Sequence, residues 1–516
     1  MTETYIALRR LENEALKLRQ GDAQIILDVG DIIKVSINQF YGFEINDFAV
    51  TVAKTALWIA ESQMMKETED IVSMSLDFLP LKSSANIFEC NALGVNWEEL
   101  VPKDRLSYIF GNPPFLGFTY TNATQKADMA RIFPKNKNLD YVCAWYKKSA
   151  DLMIDTEIRA AFVSTNSISQ GEQPTILWKP LMENGIFINF CVPNFKWVTE
   201  SAGGAAVHCV IVGFSYVKTE PSINQYLVEA PAVFIEKRTK PLCSVPEMIA
   251  GGKPTDGGNL ILTEDEYKYF IQDEPNAKKY IRRYYMGNDF INNIKRYCLW
   301  LVDCPPNELR SMPHVVKRVE CVRQMRLNST KLATQAKSAA PMLFDEIRKI
   351  EGDNYVAIPK VSSERRKYIP IGFLSIDNIP GDKLFVICNM GIYGFGILTS
   401  NVHMAWTRAV CGRLKSDYSY SNTIVYNNFP WPEATDKQKA AIEKLAQVVL
   451  DVRASYPDSS LADLYDPIAM PPDLLKAHQG LDRAVMKLYG FPAKGFTEGD
   501  CVAALMERYQ LMTTRS

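Results

Sequence analysis

The feature that most constrains this chain is an apolar run that stops at a glycine and continues as Asn-Pro-Pro-Phe. Residues 106–110 predict a buried strand, and Pro113 and Pro114 then predict a stiff loop, because proline fixes φ and lacks a backbone donor. In an open α/β sheet the carboxyl ends of the strands carry the ligands. The Asn112 amide, a free carbonyl and the Phe115 ring would suit a flat ring with an exocyclic amino group.

Two earlier strands place polar residues at corresponding positions. Residues 37–45 predict a strand that ends in Glu44 and Ile45, and Asn46 or Asp47 then caps a helix. An acid at the end of the second strand of a nucleotide-binding sheet binds ribose hydroxyls, which makes Glu44 a candidate. Residues 86–93 predict a third strand with a polar end.

The order of elements predicts a doubly wound parallel sheet. Further strands are predicted over 160–168, 185–192 and 205–214, and a helix over 139–153. Strands that alternate with helical patterns indicate an α/β fold. The polar segment 117–138 has no clear period and is interpreted as a mobile loop.

Composition excludes several classes of protein. A chain of 516 residues predicts about two to four domains, and it lacks the roughly 18 consecutive apolar residues of a membrane helix. Its eleven cysteines form no Cys-x-x-Cys pair and its four histidines are far apart. We therefore expect a cytoplasmic protein with no metal site and no membrane partner.

Charge is uneven along a chain whose net charge is only −1. Basic residues predominate over 310–337 and again over 360–367. Such clusters indicate either a nucleic-acid footprint or solvated helix faces, and the sequence leaves both open.

The tetrad Asn112 to Phe115 resembles the (Asp/Asn/Ser)-Pro-Pro-(Phe/Tyr/Trp) signature of amino-group DNA methyltransferases, and its Asn form resembles the N6-adenine branch. The resemblance implies a target adenine that is flipped out of the duplex and stacked on Phe115. The Asn112 side chain and the Pro113 carbonyl would accept hydrogen bonds from N6, with S-adenosyl-L-methionine as methyl donor. Catalysis would then rest on orientation and preorganised electrostatics. Asn91 and Ala92 would contact the adenine of that cofactor.

The whole chain resembles the methyltransferase and target-recognition part of the type IIL restriction-modification enzymes of the MmeI kind, which are γ-type methyltransferases. The runs that carry the resemblance are residues 40–45 with 49–60, 361–366, 412–421, 426–432, 464–467 and 477–482. It implies a Rossmann-like class I methyltransferase core over 1–216, a mixed α+β target-recognition domain over 217–432 and a C-terminal helical domain over 433–516. Double-stranded DNA is the implied partner, in a restriction-modification or phage-defence system. The implied DNA-binding residues are Ser362, Ser363, Arg365, Arg366, Arg413, Lys415 and Tyr420.

The sequence departs from that family in two respects. It shows neither a nuclease site nor the glycine-rich cofactor loop expected ahead of the first helix. We therefore expect an N-terminally incomplete sheet with exposed strand edges. A separate chain that supplies the cofactor motif or the nuclease is a further expectation.

Two alternatives remain at this point. The chain is a non-catalytic DNA-binding specificity module or a fragment that needs a second chain, or it methylates a small molecule or a protein. A glutamine carboxamide presents a similar planar NH2 to an Asn-Pro-Pro-Phe site. The large basic region argues against that second alternative.

Overall fold

The computed structural model describes residues 1–20, 33–72, 85–136, 138–197, 207–218, 232–492 and 494–514. The chain divides into two compact units. The first comprises Met1–Val163, Leu181–Cys191 and Ile211–Val228, and the second comprises Ser164–Pro180, Val192–Val210 and Glu229–Ser516.

The amino-terminal elements alternate between helix and strand, which confirms the predicted α/β class. The predicted cap of the second helix is also present, since Asn46 Oδ1 accepts a 2.8 Å hydrogen bond from the Phe48 amide. The elements are α1 (Thr2–Gln20), β1 (Tyr41–Glu44), α2 (Asp47–Val72), β2 (Asn86–Glu89), α3 (Trp97–Leu100), β3 (Tyr108–Gly111), α4 (Ala123–Ile132), α5 (Cys143–Leu152), β4 (Arg159–Thr165), α6 (Gln173–Glu183), β5 (Phe187–Trp197) and β6 (Val207–Ser215).

These strands form two sheets among the described residues. One is a parallel pair of β1 and β2, and the other has the order β3-β4-β6-β5 with β3 and β4 parallel. Within the described part of the chain, β1 and β3 therefore each keep one edge without a partner strand. The ring of Phe110 on β3 is 43% exposed, which is unusual for a parallel strand of an α/β fold.

The interpretation of residues 117–138 as a mobile loop is wrong for most of that segment. Residues 123–132 form α4, whose start is stabilised by reciprocal hydrogen bonds between Asn122 and Gln125. Met129 and Phe133 are buried at its far end. The capping pair and two buried apolar residues favour a helix here, although the weak hydrophobic periodicity of the segment did not predict one.

The middle of the chain consists of short strands and helices. Its elements are β7 (Met248–Ala250), β8 (Ile261–Thr263), α7 (Glu264–Asp273), β9 (Ile281–Tyr285), α8 (Gly287–Asn292), β10 (Arg296–Leu299), α9 (Pro306–Arg310), α10 (Pro313–Leu327), α11 (Leu332–Ala336), β11 (Asn354–Pro359), β12 (Val361–Ser362), β13 (Gly372–Ser375), β14 (Ile379–Pro380), β15 (Leu384–Cys388), α12 (Ile392–Leu398), α13 (Asn401–Val410), β16 (Gly412–Leu414) and β17 (Asp417–Ser419). Its sheets have the orders β14-β9-β10-β8, β13-β11-β15-β7 and β12-β17-β16.

The end of the chain is helical, as predicted. The four helices are α14 (Asp436–Ala454), α15 (Leu461–Leu464), α16 (Pro472–Tyr489) and α17 (Glu498–Thr514). Helix α16 ends at Gly490, which adopts a left-handed φ of +79° that favours glycine. Leu481 and Val485 of α16 share one buried core with Phe395 and Trp406, so these helices are part of the second unit.

In the described part of the chain, no helix has both the length and the apolar character that a membrane span requires. None of the eleven cysteines, all of which lie in the described part of the chain, forms a disulfide bond.

Candidate active site and DNA interface

The Asn-Pro-Pro-Phe segment lies in the loop that directly follows β3. Asn112 is exposed, Pro113 is buried and Phe115 is half-buried. Among the described residues, the Asn112 side chain makes no hydrogen bond, whereas the Pro114 carbonyl accepts one from the Leu116 amide at 3.1 Å. A polar amide and an aromatic ring are thus available at the carboxyl end of a parallel strand.

The predicted ribose-binding acid lies at the end of β1. Glu44 is exposed and is the register partner of Glu89 on the parallel strand β2. The next residue, Ile45, is 77% exposed. The carboxylate of Glu44 is therefore available to accept hydrogen bonds from hydroxyl groups.

The turn after β2 contains the predicted cofactor residues Asn91 and Ala92, and both make internal hydrogen bonds. Asn91 Nδ2 donates to Asp128 Oδ2 at 2.9 Å, and Asn91 Oδ1 accepts from the Leu93 amide at 3.1 Å. The Ala92 carbonyl accepts from Trp97 Nε1 at 2.7 Å. The Asn91 side chain thus shapes the turn, and only its remaining lone pairs or the backbone is available to a ligand.

Two cations that were not predicted from the sequence bind this turn. Lys148 Nζ, from α5, donates to the carbonyls of Ala92, Leu93 and Val95. Arg131, from α4, also donates to the Leu93 carbonyl, at 2.6 Å. Burial lowers the pKa of Lys148, and Arg131 adds to that effect. Neither role was predictable, because backbone carbonyl acceptors have no signature in the sequence.

The candidate recognition residues gather around the three-stranded sheet β12-β17-β16. Ser362 and Arg413 are both register partners of Tyr418 on the central strand, and Lys415 lies in the β16–β17 turn with a φ of +57°. The Arg413 guanidinium lies 4.1 Å from the centre of the Tyr418 ring. The structure thus places Ser362 and Arg413, which are distant in sequence, in one cross-strand row, with Arg413 on strand β16.

Exposure differs strongly among these residues. Arg365 and Lys415 are exposed, while Ser363, Arg366 and Arg413 are half-buried. Burial lowers the pKa of Arg366, although Asp417 and Asp466 counteract it. Arg365 and Lys415 are therefore the most accessible of the predicted contacts.

The structure places Tyr420, which was predicted to bind DNA, in the protein interior. It is 4% exposed, and its hydroxyl shares a 2.9 Å hydrogen bond with His403 Nε2. Ser362 is also buried, at 2% exposure. Both side chains belong to the interior, and residue type alone does not predict that burial, since the two faces of the strand that holds Ser362 differ in exposure.

Two arginines of the basic region 310–337 stabilise the protein's own fold. Arg326 is 1% exposed and donates to five backbone carbonyls, and Arg318 donates to three more. Arg323 lies beside Glu320 at 3.2 Å. Arg318 and Arg326 therefore have an internal role, whereas the other five basic side chains of this region are exposed.

Among the described residues, no group of His, Cys, Asp and Glu side chains is arranged to hold a metal ion.

Three family models match nearly the whole chain. The model described as the MmeI DNA-methyltransferase domain matches residues 1–227, the MmeI target recognition domain matches 229–433, and the MmeI C-terminal domain matches 434–515.

Two known proteins are similar along most of the chain. A DNA methyltransferase A of Bacillus subtilis (strain 168) is 38% identical over 534 residues, which cover 99% of this chain and 60% of that protein. A solved structure of the type IIL restriction-modification enzyme MmeI in complex with DNA is 41% identical, with a TM-score of 0.88, and the match covers 99% of this chain and 71% of that one. The chain thus spans about 60% of the length of its curated relative.

Proposed function

The chain belongs to the MmeI family, and on that basis we propose that it transfers a methyl group from S-adenosyl-L-methionine to adenine N6 in double-stranded DNA. The observation that carries the proposal is the exposed Asn112 amide at the carboxyl end of the parallel strand β3. The exposed Asn112 side chain is followed by the buried Pro113 and the half-buried Phe115. Together they offer the hydrogen-bond acceptors and the aromatic face that an amino-bearing ring needs.

The proposed mechanism assigns one task to each residue of the tetrad. Phe115 stacks on a flipped-out adenine, at an unstacking cost of about a few kcal/mol to the DNA. Asn112 Oδ1 and the Pro113 carbonyl would accept hydrogen bonds from the two N6–H groups and direct the nitrogen lone pair out of the ring plane. Transfer would convert the sulfonium of the cofactor to a neutral thioether and release one N6 proton to solvent. Pro114 keeps the loop stiff through its fixed φ. The rate enhancement then comes from orientation and fixed dipoles, without a separate base.

The residues at the ends of β1 and β2 fit the proposed cofactor. Glu44 is an exposed carboxylate, which suits ribose hydroxyls, and Ile45 beside it is an exposed apolar side chain. The turn with Asn91 and Ala92 would contact the adenine part of the cofactor. When bound, S-adenosyl-L-methionine supplies an electrophilic sulfonium methyl group.

Target selection is proposed for the sheet β12-β17-β16 and the segment that follows β12. The exposed cations Arg365 and Lys415 would contact phosphates, and the half-buried Ser363, Arg366 and Arg413 would lie nearer to the base edges. A domain division of 1–216, 217–432 and 433–516 remains part of the proposal. A restriction-modification role and a cytoplasmic location are also part of the proposal.

The test compares Asn112→Ala with Asn276→Ala, which removes an exposed asparagine from a 3-10 turn (Pro275–Tyr280) in the other unit. Transfer of labelled methyl groups to DNA and DNA binding are measured for both variants. We expect Asn112→Ala to abolish transfer and to leave DNA binding nearly unchanged, while Asn276→Ala changes neither. Equal loss of transfer and binding in Asn112→Ala would contradict the assignment of this residue to chemistry.

One observation favours a second candidate, a DNA-binding specificity module that does not transfer methyl groups by itself. In the described part of the chain, no strand pairing joins the sheet of Glu44 to the sheet of Asn112. A separate polypeptide that pairs with the free edges of β1 and β3 would then be needed for activity. Sequence-specific DNA binding without transfer, together with transfer in the presence of a second chain, would select this candidate.

A further inference from the structure

Tyr141 contacts two segments that carry candidate site residues. Its backbone amide donates a 2.8 Å hydrogen bond to the Leu116 carbonyl, just after the Asn-Pro-Pro-Phe loop. Its hydroxyl donates to Asp128 Oδ2 at 3.0 Å. The residue is 5% exposed and its ring packs edge-on against Trp145 at 5.1 Å between centroids. One buried residue therefore bonds through its backbone to the segment after the Asn-Pro-Pro-Phe loop and through its hydroxyl to Asp128.

Asp128 links Tyr141 to the turn after β2. The same Oδ2 atom accepts the hydrogen bond from Asn91 Nδ2 at 2.9 Å, and Oδ1 accepts from Arg131 at 2.8 Å. Arg131 in turn donates to the Leu93 carbonyl. Asp128 is 5% exposed, so this carboxylate is a buried charge whose partners are the hydroxyl, the amide and the guanidinium. A buried polar group with several satisfied partners is costly to disrupt and rigidifies its surroundings.

We propose that Tyr141, through Asp128, is a positioning residue that fixes the turn after β2 relative to the loop after β3. The inference rests on the proposed function for its consequence, because the turn would hold the cofactor adenine and the loop would hold the target base. Tyr141 would act through Asp128 and the turn rather than by direct contact with either group. It fixes the turn that would hold the cofactor adenine, so the connection acts on cofactor affinity, equally in the ground state and the transition state.

The sequence gives no indication of this role. Tyr141 and Asp128 are 13 residues apart, and Asp128 lies in the segment that periodicity failed to assign to a helix. Only the fold of α4 and α5 brings Asp128 to the Asn91 amide.

The test uses Tyr141→Phe, which keeps the ring and the backbone bond to Leu116 and removes only the hydroxyl. The matched control is Tyr146→Phe. Tyr146 also lies in the first unit, is also buried, and donates its hydroxyl to the Phe162 carbonyl rather than to the turn. Asp128→Asn serves as a second variant of the same connection.

The first readout is hydrogen exchange at the amides of Leu93 and Gly94, which bond to the side chain and the carbonyl of Asn91. We expect exchange at both amides to rise about tenfold in Tyr141→Phe, the size expected for a lost hydrogen bond to a charged group. Exchange in Tyr146→Phe should match the unmodified chain. Equal exchange in the two variants would overturn the proposal, whether or not the chain binds cofactor.

The second readout is the dissociation constant for S-adenosyl-L-methionine and the kinetics of transfer. The Kd and the KM for the cofactor should each rise about tenfold in Tyr141→Phe, with kcat nearly unchanged, because the lost interaction acts equally in the ground state and the transition state. Asp128→Asn should act in the same direction, and the double variant should be less than additive. Cofactor binding equal to that of Tyr146→Phe would contradict the positioning role. Absence of cofactor binding by the unmodified chain would contradict the proposed function instead, and hydrogen exchange would then decide the role of Tyr141.

Discussion

At the scale of single residues, burial separates structural polar groups from functional ones. Tyr420, Arg318 and Arg326 belong to residue types that bind DNA, yet each donates or shares its hydrogen bonds inside the protein. Asn112 and Lys415 are exposed. The sequence could predict which residue types gather in a segment. It could not predict which of them face inward, because that depends on contacts between distant parts of the chain.

Arg326 should contribute to stability rather than to DNA binding. Its buried guanidinium donates to five carbonyl oxygens, so Arg326→Met removes five hydrogen bonds at once. We expect a loss of about 3 kcal/mol or more in the free energy of unfolding, by urea denaturation. The control Arg323→Met, an exposed residue of the same helix, should change it by less than about 0.5 kcal/mol. Unchanged stability together with weaker DNA binding in Arg326→Met would contradict this assignment.

His403 should make the second unit sensitive to acid. The imidazole is fully buried, and burial lowers the pKa of His403 from 6.5 to about 3. The unfolded chain therefore binds a proton below pH 6.5 that the folded chain does not bind, and stability falls as pH decreases from 6.5 toward 3, by at most about 1.4 kcal/mol per pH unit. The contribution of Asp482 to the pH dependence of stability has the opposite sign. Burial raises its pKa from 3.8 to about 6, so its contribution is present at low pH and is lost as pH rises through 6.

The pH dependence can be assigned with one pair of variants. Urea unfolding at pH 7.5, 6.5 and 5.5 should give a smaller decrease in stability for His403→Gln than for the unmodified chain. His314→Gln, which removes an exposed histidine, should leave the decrease unchanged. The account of His403 fails if the two variants behave alike.

At the scale of elements, local sequence patterns predicted some helices and strands and missed others. The strand that ends at Gly111, the cap at Asn46 and the C-terminal helices follow from patterns within about ten residues. Helix α4 was missed because its apolar side is short and its capping asparagine is followed by polar residues. The sheet β12-β17-β16 was also beyond prediction, since β12 pairs with a strand more than 50 residues later.

The turn of that sheet yields a prediction on DNA binding. Lys415 is exposed between β16 and β17, and we expect it to contact a phosphate. Lys415→Gln should weaken binding equally on all DNA sequences and should reduce the slope of log affinity against log salt by about one. The control Lys444→Gln, an exposed lysine on α14, should alter neither quantity. A change confined to one position of the recognised sequence would instead identify Lys415 as a base reader.

At the scale of the whole molecule, the proposed chemistry and the proposed recognition belong to different compact units. Glu44, Asn91 and Asn112 lie in the first unit, and the sheet β12-β17-β16 lies in the second. The order of the parts was predictable, because it came from several runs along the chain that together resemble one family. The polar connections within each unit were not predictable, because they join side chains whose neighbours are set only by the tertiary fold.

The most direct test of the central claim identifies the methylated base. The unmodified chain is incubated with S-adenosyl-L-methionine carrying a labelled methyl group and with double-stranded DNA, and the nucleosides are then separated by mass. Our account predicts that the label appears as N6-methyladenine and that Asn112→Ala loses it. Label on cytosine, or label on adenine that persists in Asn112→Ala, would contradict the proposed role of the Asn-Pro-Pro-Phe segment.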